Sequence, residues 1–225
     1  MDDHTPPPDI VNGVYRFLGR LNRWLGGTRA SIHRFEAFSG SWATGERIEV
    51  LDVACGGGDV GRALLTWGRQ RGFDMRVTSL DLSSAAMYYV RHSDASIADV
   101  TGHRLVQADV GQLPFRDGAF DYVTSTLFFH HLTDDEVVST LQVFDRIARR
   151  GLVVNDLIRR RRLYLWSWLF TRPFNDVLRQ DGPLSVRRAF RPEELLALAR
   201  RAGLGWLTVD EHFGHRMTLA GEPPH

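Results

Sequence analysis

The stretch Val50-Leu51-Asp52-Val53-Ala54-Cys55-Gly56-Gly57-Gly58-Asp59-Val60-Gly61 decides the fold. An apolar run carries one carboxylate and breaks into a glycine cluster, and helical periodicity follows through Arg71. That order predicts a strand, a tight loop and a helix start, with glycines that let the backbone approach a ligand closely. Asp52 falls inside the strand end. A loop built only for a pyrophosphate gains nothing from a negative charge there, whereas a loop built for a ligand with a positive end does.

Downstream the alternation repeats. Met75–Leu80 reads as a strand ending at Asp81, and Ser83–His92 as a helix with Ser83 as its cap. Arg104–Ala108 reads as a strand ending at Asp109, and Phe120–Ser125 as another. A helix is predicted over Asp134–Arg149, then a strand over Gly151–Val154 ending at Asn155-Asp156. Strands separated by helices at this spacing specify βαβ units. Pro192–Ala202 reads as a helix, and Gly205–Asp210 with Arg216–Ala220 as a closing antiparallel hairpin. The expected fold is therefore α/β: a Rossmann-like, mostly parallel sheet with helices on both faces and a C-terminal antiparallel hairpin.

Upstream, three consecutive prolines make residues 1–9 a disordered tail. Residues 10–44 read as a helical cap, and residues 45–225 as the main domain. The stretch 157–190, rich in arginine and tryptophan, breaks the alternation and reads as a lid or insertion beside the site.

Composition sets the bounds. A chain of 225 residues that is 43% hydrophobic suits one domain with a substantial core. With 28 basic and 27 acidic residues the net charge is +1, so no global field favours a nucleic acid partner. The single cysteine, Cys55, cannot form an internal disulfide, and a reducing cytoplasm is the simple expectation. The acidic, proline-rich start lacks the features of a signal peptide. The longest apolar-aromatic run, Leu163–Phe170, is too short to span a bilayer. It follows four arginines, Arg159 to Arg162, a pairing that suits a covering lid or loose contact with a membrane surface.

Carboxylates stand at four predicted strand ends: Asp52, Asp81, Asp109 and Asp156. Ligands of doubly wound sheets sit at the carboxyl ends of strands, so these four outline a polar crevice. Gly56, Gly58 and Gly61 satisfy G-x-G-x-x-G, a pattern shared with dinucleotide enzymes. Asp81 lies 20 positions after Gly61, which suits a ribose acceptor in either class. Asp52 and Asp109 favour S-adenosylmethionine over NAD. The first suits the ammonium of the methionine part, and the second suits an adenine amino group. The alternatives are an NAD(P)-dependent oxidoreductase, against which the lack of a Tyr-x-x-x-Lys pattern also speaks, and a non-catalytic module that holds S-adenosylmethionine without turnover.

Val50–Gly61 resembles the first motif of class I S-adenosylmethionine-dependent methyltransferases, and Ser79-Leu80-Asp81-Leu82-Ser83 their second-strand acidic motif. Gln107–Phe115 resembles the adenine-side motif, Phe120-Asp121-Tyr122-Val123 the fourth strand, and Phe128-Phe129-His130-His131-Leu132 the segment after it. The similarity covers about residues 45–156 in order. It implies a seven-stranded sheet. It also implies that Asp52, Ala54 and Gly56 serve the methionine end, Asp81 and Leu82 the ribose and adenine, Asp109 and Val110 the adenine, and Thr126 the sulfur side, with Gly58 also binding the cofactor. The His-His segment with 150–190 resembles a bacterial small-molecule subgroup, similar to quinone methyltransferases and associated with phenolic or polyketide acceptors in secondary metabolism.

An oxygen nucleophile must lose its proton, and a phenol with a pKa of about 10 needs a base at neutral pH. His130 and His131 stand just past the fourth predicted strand, and His131 is the preferred base. No metal is expected, because His212 and His215 lack a third ligand at a telling spacing. The reading is O-methylation of a small aromatic or lipophilic acceptor.

Overall fold

The apolar run before the glycines becomes an interior strand of a seven-stranded sheet, β1 (Arg47–Val53). The computed structural model describes residues 8–92, 101–160 and 184–224. β1 pairs in parallel with β2 (Asp74–Asp81) on one side and β4 (Phe120–Thr126) on the other. β3 (His103–Gln107) extends the sheet beyond β2, and β5 (Ala148–Leu157) beyond β4, both in parallel. β7 (Arg216–Gly221) then runs antiparallel to β5, with β6 (Thr208–His212) antiparallel at the edge. The order is β3-β2-β1-β4-β5-β7-β6. It reverses between β1 and β4, which places the ligand crevice over their carboxyl ends. The antiparallel final pair also separates this sheet from the six-stranded dinucleotide-binding order 3-2-1-4-5-6.

Both faces are covered, so the strands are apolar on both sides. Ile48 and Val50 of β1 join Phe35, Phe38, Leu64 and Trp67 in one core, under α2 (Gly27–Phe38) and α3 (Asp59–Arg71). Leu51 and Val53 join Val137, Leu141, Phe144, Leu195 and Leu198 in the other, under α5 (Asp134–Ile147) and α6 (Pro192–Arg201). α4 (Ser84–His92) lies against β2 and β3, and α1 (Pro8–Trp24) packs on α2 and α4. α2 reaches β5 and β7 directly, so the N-terminal helices help to roof the carboxyl-end rim.

Two elements depart from expectation at their ends. α1 begins at Pro8, inside the predicted tail, because proline is tolerated in the first turn, where no backbone donor is needed. β5 is longer at both ends than Gly151–Val154. Its start carries Arg149 and Arg150, which pair with Asp121, and Arg150 also pairs with Glu46. Its end, Asn155-Asp156-Leu157, stays in the sheet because β7 supplies a second neighbour. The predicted lid falls largely on residues 161–183, which lie outside the described residues. The chain returns at Phe190, bridged in parallel to Ile158.

Candidate active site

After β1 the chain turns sharply. Ala54 (φ 55°), Gly56 (φ 51°) and Gly58 (φ 72°) adopt left-handed backbone, a conformation that costs a residue with a Cβ more than it costs glycine. Gly58 is the cap of α3. Asp81, the last residue of β2, braces this loop. Its Oδ2 accepts from the Gly56 N–H at 2.9 Å, and its Oδ1 from the Ser83 N–H at 2.9 Å. Ser83 Oγ in turn accepts from the Ala86 N–H, the cap expected for α4. Tyr15 of α1 leans over the glycines, its ring centroid 5.2 Å from that of Tyr89. A Cβ at Gly57 would lie 3.3 Å from Tyr89 and 3.7 Å from Tyr15, so the loop is held close between two rings. Burial raises the Tyr15 pKa against an opposing hydrogen bond with Ser83, keeping the phenol neutral. Leu82 stands exposed just beyond. Asp109 is exposed on the rim, where its Oδ1 accepts from the Gly111 N–H at 2.8 Å and starts a single 3-10 turn at Val110.

Asp52 is buried rather than exposed on the rim. It is 1% exposed and lies behind the loop, where a Cβ on Gly61 would stand 3.5 Å from its Oδ2. That oxygen has no hydrogen-bond partner among the described residues. Burial pushes its pKa up to about 7. The Gly61 N–H opposes the shift, and the charges of Asp81 and Asp59 add to it. Burial likewise pushes the Cys55 thiol well up, helped by Asp52 and Asp81, so this is not a thiolate nucleophile.

On the other side of the switch point, β4 ends at Thr126 and the chain turns at Leu127 (φ 58°). A single 3-10 turn, Phe129–His131, follows. It points His130 inward and leaves His131 exposed, with the two ring centroids 4.1 Å apart. His130 is gripped twice by Asp156. Its backbone N–H donates to Oδ2 at 3.0 Å, and its Nδ1 lies 2.7 Å from Oδ1. Both residues are buried. Burial raises the Asp156 pKa, but the charge and hydrogen bonds of His130 and the Leu157 N–H outweigh it, so the carboxyl sits below its ordinary value. A carboxylate at Nδ1 fixes the tautomer with the proton on Nδ1, leaving Nε2 as the basic nitrogen.

Beside this pair lies a polar cluster under α2. Asn155 Nδ2 donates to the Gly27 carbonyl at 2.7 Å and to Ser31 Oγ at 2.9 Å. Ser31 Oγ reaches Thr126 Oγ1 at 3.4 Å. Arg216, the first residue of β7, is 2% exposed, and its Nη2 donates to Asn22 Oδ1 at 3.0 Å. Burial lowers its pKa to about 10 while Asp156 resists, so it keeps its proton at neutral pH.

Thus Ala54, Gly56, Gly58, Asp81 and Leu82 gather at the loop, Asp109 and Val110 edge it, and Thr126 and His130 lie across from it. The sequence reading missed Tyr15, Ser31 and Arg216. One signal for the last was available, a lone arginine opening an apolar strand. Among the described residues no group of three or more His, Cys, Asp or Glu is placed to hold a metal, and no helix is long and apolar enough to cross a membrane.

Residues 50–151 match a family model described as "Methyltransferase domain". The chain is 28% identical over 160 residues to a ubiquinone biosynthesis O-methyltransferase of Pseudomonas aeruginosa, covering 69% of this chain and 64% of that protein. It is 33% identical over 107 residues to a demethylmenaquinone methyltransferase of Staphylococcus aureus, covering 48% and 41%. The match thus spans less than two thirds of these curated relatives. Its fold is similar to that of a SAM-dependent methyltransferase from Aquifex aeolicus, with TM-score 0.59, 15% identity and coverage of 97% and 99%. It is also similar to human N-acetylserotonin methyltransferase in complex with SAM, with TM-score 0.68, 11% identity and coverage of 97% and 57%.

Proposed function

We propose, from the premise that this chain belongs to the class I S-adenosylmethionine-dependent methyltransferases, that it moves a methyl group onto a hydroxyl oxygen of a small aromatic or lipophilic acceptor. S-adenosylmethionine supplies the methyl group on a positively charged sulfur. The residues present fit that donor. The left-handed Ala54–Gly58 loop lets backbone approach the methionine part closely, under Tyr15. Asp81 and Leu82 stand where a ribose and its base would lie, with Asp109 and Val110 at the far edge and Thr126 toward the sulfur.

The observation that carries the oxygen acceptor is the buried His130–Asp156 pair at the carboxyl ends of β4 and β5. Asp156 orients the ring and holds the proton on Nδ1, so Nε2 takes the acceptor's proton as the new bond forms. Deprotonation by a held base suits a phenol, and two curated relatives, one named for ubiquinone biosynthesis and one for demethylmenaquinone, support a lipophilic ring. Between the two histidines, this geometry favours His130 over the His131 preferred from sequence. Loose contact with a membrane surface and a cytoplasmic location belong to the same proposal. The described part of the basic run, Arg159 and Arg160, pairs with Glu194 and Glu211, so little of that charge is left for lipid.

The test is direct. The purified chain is incubated with S-adenosylmethionine and a panel of catechols and hydroquinones, and products are read by mass spectrometry. O-methyl products formed by the wild type and lost in His130→Ala support the proposal. Ring-carbon methylation, or no S-adenosylhomocysteine with any acceptor, refutes it.

A further inference from the structure

Beneath α2 the fold buries one full positive charge that the methyl-transfer reading leaves unused. Arg216 spends Nη2 on Asn22, but its Nε and Nη1 are buried and have no hydrogen-bond partner among the described residues. Unpaired guanidinium donors inside a protein are costly. Asp156 lends Arg216 a favourable charge, but no acceptor among the described residues reaches these two nitrogens. A Cβ at Gly27 would lie 3.1 Å from the Arg216 Cζ, so the guanidinium rests against the first residue of α2. α2 is 12 residues long, has no side-chain cap at Gly26, and carries no acidic residue in its first turn. The positive end of α2 therefore lies close to the guanidinium whose Nε and Nη1 lack partners. The nearby acid, Asp156, has both oxygens occupied by His130 and Leu157.

We propose that Arg216 and the N-terminus of α2 form an anion subsite that takes a carboxylate carried by the methyl acceptor. The position follows from topology. β7 runs against β5 so that Arg216 pairs with Leu157, one residue beyond the Asp156 that holds His130. The subsite thus belongs to the β4–β5–β7 side of the rim, away from the glycine loop. A carboxylate anchored there completes the donors of Arg216 and aligns the remainder of a small acceptor along the rim toward His130. The inference rests on the methyl-transfer reading and narrows it to acceptors bearing an acid group.

The probe pair is 3,4-dihydroxybenzoate and catechol, the same ring with and without a carboxylate. Calorimetry measures both on the wild type, Arg216→Gln and Arg216→Lys in the presence of saturating S-adenosylhomocysteine, whose own affinity is measured separately. The wild type is expected to prefer 3,4-dihydroxybenzoate on the order of tenfold or more. Arg216→Gln is expected to erase the preference with S-adenosylhomocysteine affinity unchanged. Arg216→Lys keeps the charge without the planar set of donors, so it retains only part of the preference. It also serves as the comparison if the glutamine variant does not fold, as judged by circular dichroism. Equal affinities in the wild type, no binding of the benzoate, or a preference that survives in both variants overturns the proposal. Loss of S-adenosylhomocysteine affinity in folded variants also overturns it, by assigning the subsite to the donor's own carboxylate. A wild type that fails to bind S-adenosylhomocysteine at all instead sinks the methyl-transfer reading on which the proposal stands.

Discussion

Asp52 and Asp156, each one residue from the end of its strand and each buried, differ because Asp156 has donors on both oxygens while Asp52 has only the Gly61 N–H and leaves Oδ2 without a partner. Asp156 receives backbone N–H groups and a histidine ring, so it stays ionised and its contribution to stability is lost only as pH falls below the ordinary carboxylate range. Asp52 lacks a partner on Oδ2, and its pKa rises from 3.8 to about 7. The folded state then holds a proton that the unfolded chain releases near pH 4. Stability therefore falls as pH rises from about 4 to about 7, by on the order of 4 kcal/mol, and is level above that. Asp52→Asn is expected to flatten this slope, so that urea midpoints at pH 5 and pH 8 converge in the variant and differ in the wild type. His130→Ala is expected to lower the single-turnover methylation rate by roughly a hundredfold or more, with S-adenosylhomocysteine affinity intact, and His131→Ala to change it little. An equal effect of the two substitutions would remove the assignment. The histidine pair was legible in the sequence, but which ring turns inward was not. That choice is made by a 3-10 turn and by an acid arriving from β5.

At the scale of elements, strand and helix identities could be read because each apolar run ends at a cap or a glycine. Thr133 heads α5 with a full capping box, its hydroxyl and backbone exchanging hydrogen bonds with Glu136. Thr133→Ala is expected to cost about 1 kcal/mol, measurable as a shift in the thermal midpoint. The seat of α2 was not legible, because nothing local marks Gly27 as a contact point. A Cβ there would lie 1.9 Å from Asn22 Oδ1, whose side chain also bonds Arg216 and Thr28. Gly27→Ala is therefore expected to cost about 1–3 kcal/mol by overpacking and to loosen the polar cluster beneath the helix, whereas Gly40→Ala, in open space, is expected to cost far less. Comparing the two by chemical denaturation checks this. β5 was read short for a related reason. Its charged start and polar end are tolerated only because Asp121, Glu46 and β7 meet them in space.

Over the whole molecule, the order of motifs was enough to fix the sheet and its switch point, and it pointed to the glycine loop and Asp81 as the donor side of the proposed site. The proposed acceptor side was far less visible, since Ser31, Asn155 and Arg216 come from distant parts of the chain and gather under α2 only on folding. Because the site joins α1, α2 and six strands, ligand binding is expected to stabilise the fold as a unit. S-adenosylhomocysteine at a hundred times its dissociation constant should add about 2.7 kcal/mol, seen as one cooperative transition moving upward in calorimetry. The reversed direction of β7 has a practical consequence. A strand that begins at the chemical rim with Arg216 ends at the opposite pole, where Gly221 pairs with Leu152 and Glu222 accepts a hydrogen bond from Tyr122. A surface tether attached at Glu222 would leave from that remote pole and spare the mouth, while one attached to α1 would crowd the helix that carries Tyr15.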